Sequence, residues 1–473
     1  MTRSTKLYAF VGALAVAGVG VFTLRTFFGL RVELAGSGTR PMFSFYKPEQ
    51  HFTNLERQRA AAPVLSPENI VHPASSPVAE KAAAPLAAEY WTTFRGPQLL
   101  GVYAQMAIDT NWPAIGLKQL WRQPVGGGYA SFVIARGKAY TIEQRRAREI
   151  VAAYDVATGR ELWAHGWDAL FDESMGGSGP RATPTWDEGL VYALGAAGEL
   201  RCLDGETGKR IWSKNILSDN GAENIQWGMA AAPLVVDGKV IVLPGGPGGK
   251  SVVAYGKTTG EAVWKALDDR QSYTSPMVVT LAGRRQLLVV SASRAMGLAI
   301  ESGALLWEYP WRTEHEINSA QPIVTAPDRV FISAGYGHGS AVFQIVAADG
   351  RFSAKTVWEN TRMKNKFSSS VLREGYIYGL DEAILASIDA ATGELKWKGG
   401  RYGFGQLLLA GEHLLVLSET GGMALVKASP DGFHEVAQFP ALDGKTWNNP
   451  AIADGRLFVR NTTEMACFRI AKE

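Results

Sequence analysis

Cysteine is nearly absent from this chain: its 473 residues include two, Cys202 and Cys467. That excludes a disulfide-built scaffold and any Cys-x-x-Cys metal, redox or cytochrome motif. Histidine is also scarce. The seven present show no paired ligand spacing, so Glu314-His315-Glu316 reads as surface, not as a metal site. Charge of one sign is missing too, because 48 basic and 45 acidic residues are spread along the chain for a net +3. No basic footprint for nucleic acid results. The stretch Pro244-Gly245-Gly246-Pro247-Gly248-Gly249-Lys250-Ser251 lacks the first glycine of a phosphate loop, and strands rather than a helix follow it. Ser178 in Gly-Gly-Ser-Gly lacks the strand-turn-helix setting of a nucleophile elbow.

Glycine and aromatics are plentiful. There are 52 Gly, 14 Trp and 15 Tyr, a profile of many short strands joined by tight turns. From Tyr90 onward a repeat organises them. Ala153-Tyr154-Asp155-Val156-Ala157-Thr158-Gly159 with Trp163 shares one register with Cys202 to Gly208 with Trp212, and with Ser387 to Gly393 with Trp397. Each reads as strand, turn, strand, with the glycine free to take positive φ. Weaker copies end at Trp264, Trp307 and Trp358. With Trp121 and the substitute Phe439 the marker recurs eight times, at intervals of 39 to 52 residues. That period means four-stranded propeller blades. A second element, small-Pro-apolar-apolar, follows each marker at Thr183-Pro184, Ala232-Pro233, Ser275-Pro276, Gln321-Pro322 and Asn449-Pro450, with proline-free copies at Ser131, Ser370 and Gln406. The tryptophans are packing residues, each burying about 150–250 Å² between blades. The Trp121 strand has no inner partners and the last strands have no outer one, so the two chain ends should complete one blade.

The fold expected is therefore all-β, an eight-bladed β-propeller with four-stranded blades over 90–473, preceded by a transmembrane segment within 1–34 and a Pro/Ala-rich linker over 35–89. Arg3 and Lys6 precede an uncharged run from Leu7 to Leu24, whose 18 residues would rise about 27 Å as a helix. It reads as an uncleaved inner-membrane anchor with the propeller outside, in the periplasm. A cleavable leader is the alternative, since Ala15-Val16-Ala17 has the small-x-small pattern of a cleavage site. Prolines 63, 67, 73, 77 and 85 among many alanines make an extended spacer.

The motif Ala-x-Asp-x-x-Thr-Gly-x-x-x-Trp, clearest from Ala153 to Trp163, resembles the tryptophan-docking repeat of the pyrroloquinoline-quinone (PQQ) β-propellers. That family includes quinoprotein alcohol dehydrogenases, polyvinyl-alcohol dehydrogenase-like proteins and the scaffold lipoprotein of the barrel-assembly machinery. The resemblance implies the fold and leaves function open. The enzymes commonly carry a disulfide of adjacent cysteines over the quinone; Cys202 and Cys467 make no such pair and are expected to be free thiols. No calcium-binding set and no catalytic residue carries over, and the chain has no cysteine after the apolar run to accept a lipid.

Topology places the functional surface at one end of the ring, where the loops entering each first strand meet those joining second to third strands. The candidates there are Arg145, Arg181, Trp227, Asn318, Lys366, Glu419, Trp447, Asn448 and Arg460, with Arg181 foremost because Pro180 and Pro184 restrain its loop. Two functions are expected of such a funnel. The first is a non-catalytic binding or scaffold module for a protein, glycan or polymer, with the membrane reached through residues 7–24. The alternative is a dehydrogenase using PQQ with a calcium ion.

Overall fold

The computed structural model describes residues 19–61 and 90–472. The chain divides into two units, 1–61 and 62–473. In the first, a helix over 19–28 leads into a hairpin, Leu30–Leu34 paired with Pro41–Phe45, and then the helix Pro48–Ala61. Among the described residues no helix is long and apolar enough to cross a membrane. Residues 7–18 of the expected transmembrane helix lie outside the described residues, as do 62–89 of the expected linker. The hairpin and second helix occupy part of the stretch read as linker.

The second unit holds eight sheets, of which the first six are formed of consecutive antiparallel strands alone. Blades I to VII span 133–168, 185–215, 234–266, 277–310, 323–360, 371–401 and 406–440. Blade VIII contains Ala451–Ala453, Arg456–Arg460 and Glu464–Arg469, and its fourth strand is Gln119–Pro124 from far upstream. The ring thus closes as the sequence predicts, with Trp121 opposite Cys467. Blade VII carries a fifth strand, Val102–Tyr103, laid parallel against its first strand Gln406–Ala410.

One device joins the blades. The marker tryptophan sits on each fourth strand and reaches across to the next blade. Trp121 donates its indole N–H to the Val156 carbonyl (2.9 Å), Trp163 to Gly205 (3.0 Å), Trp212 to Lys257 (3.0 Å), Trp264 to Ile300 (3.1 Å) and Trp358 to Ala390 (3.1 Å). The turn glycine serves this contact twice over. Gly159 has φ 70, and a Cβ there would lie 2.6 Å from the Trp121 ring; at Gly208 the Trp163 ring would be 2.5 Å away. The glycine of one blade is the seat for the tryptophan of the blade before it. Phe439, which lacks an indole N–H, still has a seat at Gly116, just ahead of the closing strand. Trp307 is the exception. Blade V replaces the Thr-Gly turn with the long hairpin Gly339–Ala348 and Arg351–Asn360, and Trp307 instead donates to Gln286 of its own blade at 2.6 Å. A register shift follows the tryptophan pairing directly in seven blades and comes slightly later, at Leu425/Val426, in blade VII.

Cys202 and Cys467 occupy the same register position, opposite Trp212 and Trp121, in blades II and VIII, which are not ring neighbours. Both are free and buried, and burial pushes both thiols up to about 12. Because the thiolate is the reactive form, titration of denatured, unreduced protein should find two thiols per chain, while the native protein should react far more slowly. A denatured titre near zero would refute this register.

Candidate functional site: a funnel with one open end

A belt of short polar side chains holds the starts of the first strands. The Ser131 N–H donates to Thr183 Oγ1 (2.9 Å), Ala232 N–H to Ser275 Oγ (2.8 Å), Ser275 N–H to Gln321 Oε1 (2.8 Å) and Gln321 N–H to Ser369 Oγ (3.0 Å). Ser131 Oγ donates across the closing seam to the Asn449 carbonyl (2.6 Å). Backbone groups that no ladder satisfies at these strand ends therefore bond to the neighbouring blade. The result is a stiff rim.

The other end of the ring is covered by the chain itself. Ile134 at the far end of the first strand of blade I donates its N–H to the Trp91 carbonyl (2.8 Å), and Trp186 of blade II donates to Thr92 (2.9 Å). Leu99 joins the apolar cluster of Met277, Val279 and Leu281 in blade IV. Val102 and Tyr103 pair with blade VII, and the Tyr103 hydroxyl accepts the Gly455 N–H of blade VIII (3.1 Å). Residues 91–103 so form a floor touching five blades, and Arg95 adds a sixth. From it Arg95 rises to the belt, where its guanidinium donates to the carbonyls of Ser370 and Leu407 (both 3.1 Å) and to Asn449 Oδ1 (3.3 Å). Arg95 is 1% exposed, and burial pushes its pKa down to about 9. Among the described residues, this floor and the belt thus occupy opposite ends of the ring.

Four of the nine candidates are structural fasteners. Arg460, fully buried, donates to Thr141 Oγ1 (2.7 Å), the Ile142 carbonyl (3.2 Å) and the Gly126 carbonyl (2.8 Å), locking blade VIII to blade I. Asn448 bonds the carbonyls of Gly128 (3.1 Å) and Ala130 (2.9 Å) across the same seam. Asn318 holds the Ser291 carbonyl (2.9 Å). Arg145 is paired inside blade I with Glu143 and Glu161 and bonds the Tyr154 hydroxyl (3.1 Å).

The other five lie in an aromatic and cationic collar. Arg181 stacks over Phe171 (4.5 Å) and Tyr129 (5.5 Å), while its donors turn back onto the Gly177 carbonyl (2.7 Å) and the Gly179 carbonyl. Tyr129 meets Trp447 (5.3 Å), Trp447 meets Phe367 (4.7 Å) and Phe367 meets Phe404 (5.7 Å). Lys445 sits over Trp447 (4.4 Å), and Lys366 over Tyr336 (4.5 Å) and Phe404 (5.1 Å). The Trp447 indole donates to Glu419 (2.9 Å). On the opposite arc Trp227 meets Tyr273 (5.7 Å). Burial against these rings lowers the pKa of both Arg181 and Lys366. Sequence reasoning missed Tyr129, Phe171, Phe367, Phe404 and Lys445. A signal existed: Tyr129, Arg181, Tyr273, Phe367 and Trp447 each stand two residues before the belt position of their blade, which in blade VI is Ser369 and not the Ser370 expected from the sequence.

The Arg181 guanidinium is not presented to a quinone carboxylate. No group of three His, Cys, Asp or Glu side chains among the described residues could hold a metal. The Arg181 donors face their own loop, and the two thiols are buried in separate blades.

A family profile described as outer membrane protein assembly factor BamB matches residues 147–399. BamB of Burkholderia pseudomallei (strain K96243) is 23% identical over 363 residues, covering 71% of this chain and 85% of that protein. Quinohemoprotein alcohol dehydrogenase ADH-IIG of Pseudomonas putida is 29% identical over 166 residues, covering 33% of this chain and only 22% of the enzyme. A quinohemoprotein alcohol dehydrogenase of Comamonas testosteroni is 34% identical over 125 residues, 24% of this chain and 17% of the enzyme. Among solved structures, BamB from Moraxella catarrhalis superposes with TM-score 0.52 at 15% identity, covering 75% of this chain and 97% of that one. The Comamonas testosteroni enzyme does so with TM-score 0.58 at 14% identity and 82% of each chain. The structural likeness shows the fold alone. The sequence match takes in more than half of the chain, and it makes this protein a member of the outer membrane protein assembly factor BamB family.

Proposed function

We propose that this chain is a non-catalytic, membrane-anchored propeller in the periplasm that holds a protein partner at its collar. The observation carrying this reading is the collar of stacked aromatics and cations at one end of the ring. Such a surface offers large rigid contact area and charge-dependent recognition without a group positioned for chemistry. The assembly role in the name of the Burkholderia pseudomallei relative agrees with a protein partner.

A photoreactive phenylalanine in place of Phe367 or Trp227 should cross-link to a discrete envelope protein, and the same group in place of Glu374, on a turn at the opposite end, should not. Adducts from Glu374 alone would overturn the reading. Lys366→Glu should weaken capture of the cross-linked partner by about tenfold, less in high salt. The dehydrogenase alternative is tested by calorimetric titration with PQQ and calcium. No binding is expected; micromolar binding lost in Arg181→Ala would move the chain to the enzyme class. Anchoring through residues 7–24 is tested by retention of full-length protein in membranes after a carbonate wash, and a mature N-terminus at Gly18 would show cleavage instead.

A further inference from the structure

The first unit turns its apolar residues outward. In the hairpin, Leu30, Val32 and Leu34 pair with Phe45, Phe43 and Pro41, so all six share one face. Val32 is 60% exposed and Phe43 67%, and only Leu30 of this face is half-buried, whereas on the opposite face Glu33, Met42 and Ser44 are half-buried and only Arg31 is exposed. Large apolar side chains left more open than the mostly polar residues behind them are the reverse of what water selects. A two-stranded hairpin is also marginal in water by itself. Something apolar covers this face.

The preceding helix identifies the cover. Val19, Val21, Phe22, Leu24, Phe27 and Phe28 are all exposed. At about 100° per residue they are distributed right round the helix, leaving no gap wider than about 100°. A protein groove covers one stripe of a helix, whereas lipid covers the whole circumference. Only Gly29, in the left-handed region at φ 73, separates this helix from the hairpin. The hairpin must therefore lie where the apolar helix leaves the bilayer. Charge agrees: over 19–47 the cations Arg25, Arg31, Arg40 and Lys47 face a single acid, Glu33.

We infer that the hairpin Leu30–Phe45 is an interfacial foot, lying with Val32, Phe43 and Phe45 in the acyl boundary of an anionic lipid surface. This rests on the membrane-anchored reading above. The foot would fix the height at which the chain leaves the membrane.

Because Cys202 and Cys467 are buried, a single introduced cysteine can be labelled selectively. Full-length Phe43→Cys, Val32→Cys and Met42→Cys proteins, each carrying an environment-sensitive nitrobenzoxadiazole label, are placed in phosphatidylcholine/phosphatidylglycerol vesicles. Spin-labelled lipid should quench the label at positions 43 and 32 about threefold more than at 42. Equal, weak quenching at all three positions in protein that still sediments with the vesicles would overturn the foot and leave the anchor standing. Protein that stays in the supernatant would overturn both.

Discussion

Arg95→Ala is expected to lower the unfolding free energy by about 3–5 kcal/mol, as in other cases where one partner of a buried polar cluster is removed. The substitution leaves three acceptors, on Ser370, Leu407 and Asn449, without their donor at the innermost strands of three blades. It also opens a hole beside Gly101, whose Cβ position lies 2.2 Å from the guanidinium. Arg95→Lys should recover only part of the loss, because an ammonium group does not span three separated acceptors. Arg95→Met should fall between Lys and Ala, since it fills the volume without a charge to desolvate. Denaturant midpoints followed by tryptophan fluorescence would rank the three. A change below about 0.5 kcal/mol for Arg95→Ala, the range of an ordinary surface substitution, would mean the floor contributes nothing to the ring.

Trp121→Ala should cost a similar amount, about 3–5 kcal/mol for a buried aromatic, with a different signature. The indole is 6% exposed, seats on Gly159 and bonds the Val156 carbonyl from the upstream strand that completes blade VIII. Limited proteolysis should then release a fragment cut on the N-terminal side of Trp121 before any other site. Trp307→Phe should cost much less, because it gives up chiefly the bond to Gln286 within one blade. Equal losses at Trp121 and Trp307 would show that docking between blades is not what the tryptophans supply.

Much of the ring was legible because its parts repeat. The Thr-Gly turn and the tryptophan four residues later recur in one register, and even Phe439 keeps its place. Closure was legible because Trp121 arrives without inner partners. The glycine's second role was hidden, since the ring it seats belongs to the previous blade and lies some forty residues upstream. The floor was hidden for another reason. Residues 91–103 occur once, with positive φ at Arg95, Gln98 and Leu99 in place of any periodic pattern. The candidate site was half legible. Loop position separated neither Arg460 and Asn448, whose acceptors lie more than three hundred residues away across the seam, nor Arg145, whose acids stand within its own blade. The collar is legible only when aromatics are counted by repeat position, because its stacked rings come from different blades.

The borrowed strand of blade VIII also orders events in time. Arg122 and its partner Glu464 are 342 residues apart, so the strand Gln119–Pro124 is synthesised long before anything can pair with it. Blades I to VII can each form from neighbouring hairpins as they appear, while the eighth waits for Glu464–Arg469. The closing strand is meanwhile an unpaired edge carrying Leu120 and Trp121, open to pairing with another molecule. Ring closure is then expected to follow the other blades, with the edge of Gln119–Pro124 open to other molecules until Glu464–Arg469 arrives.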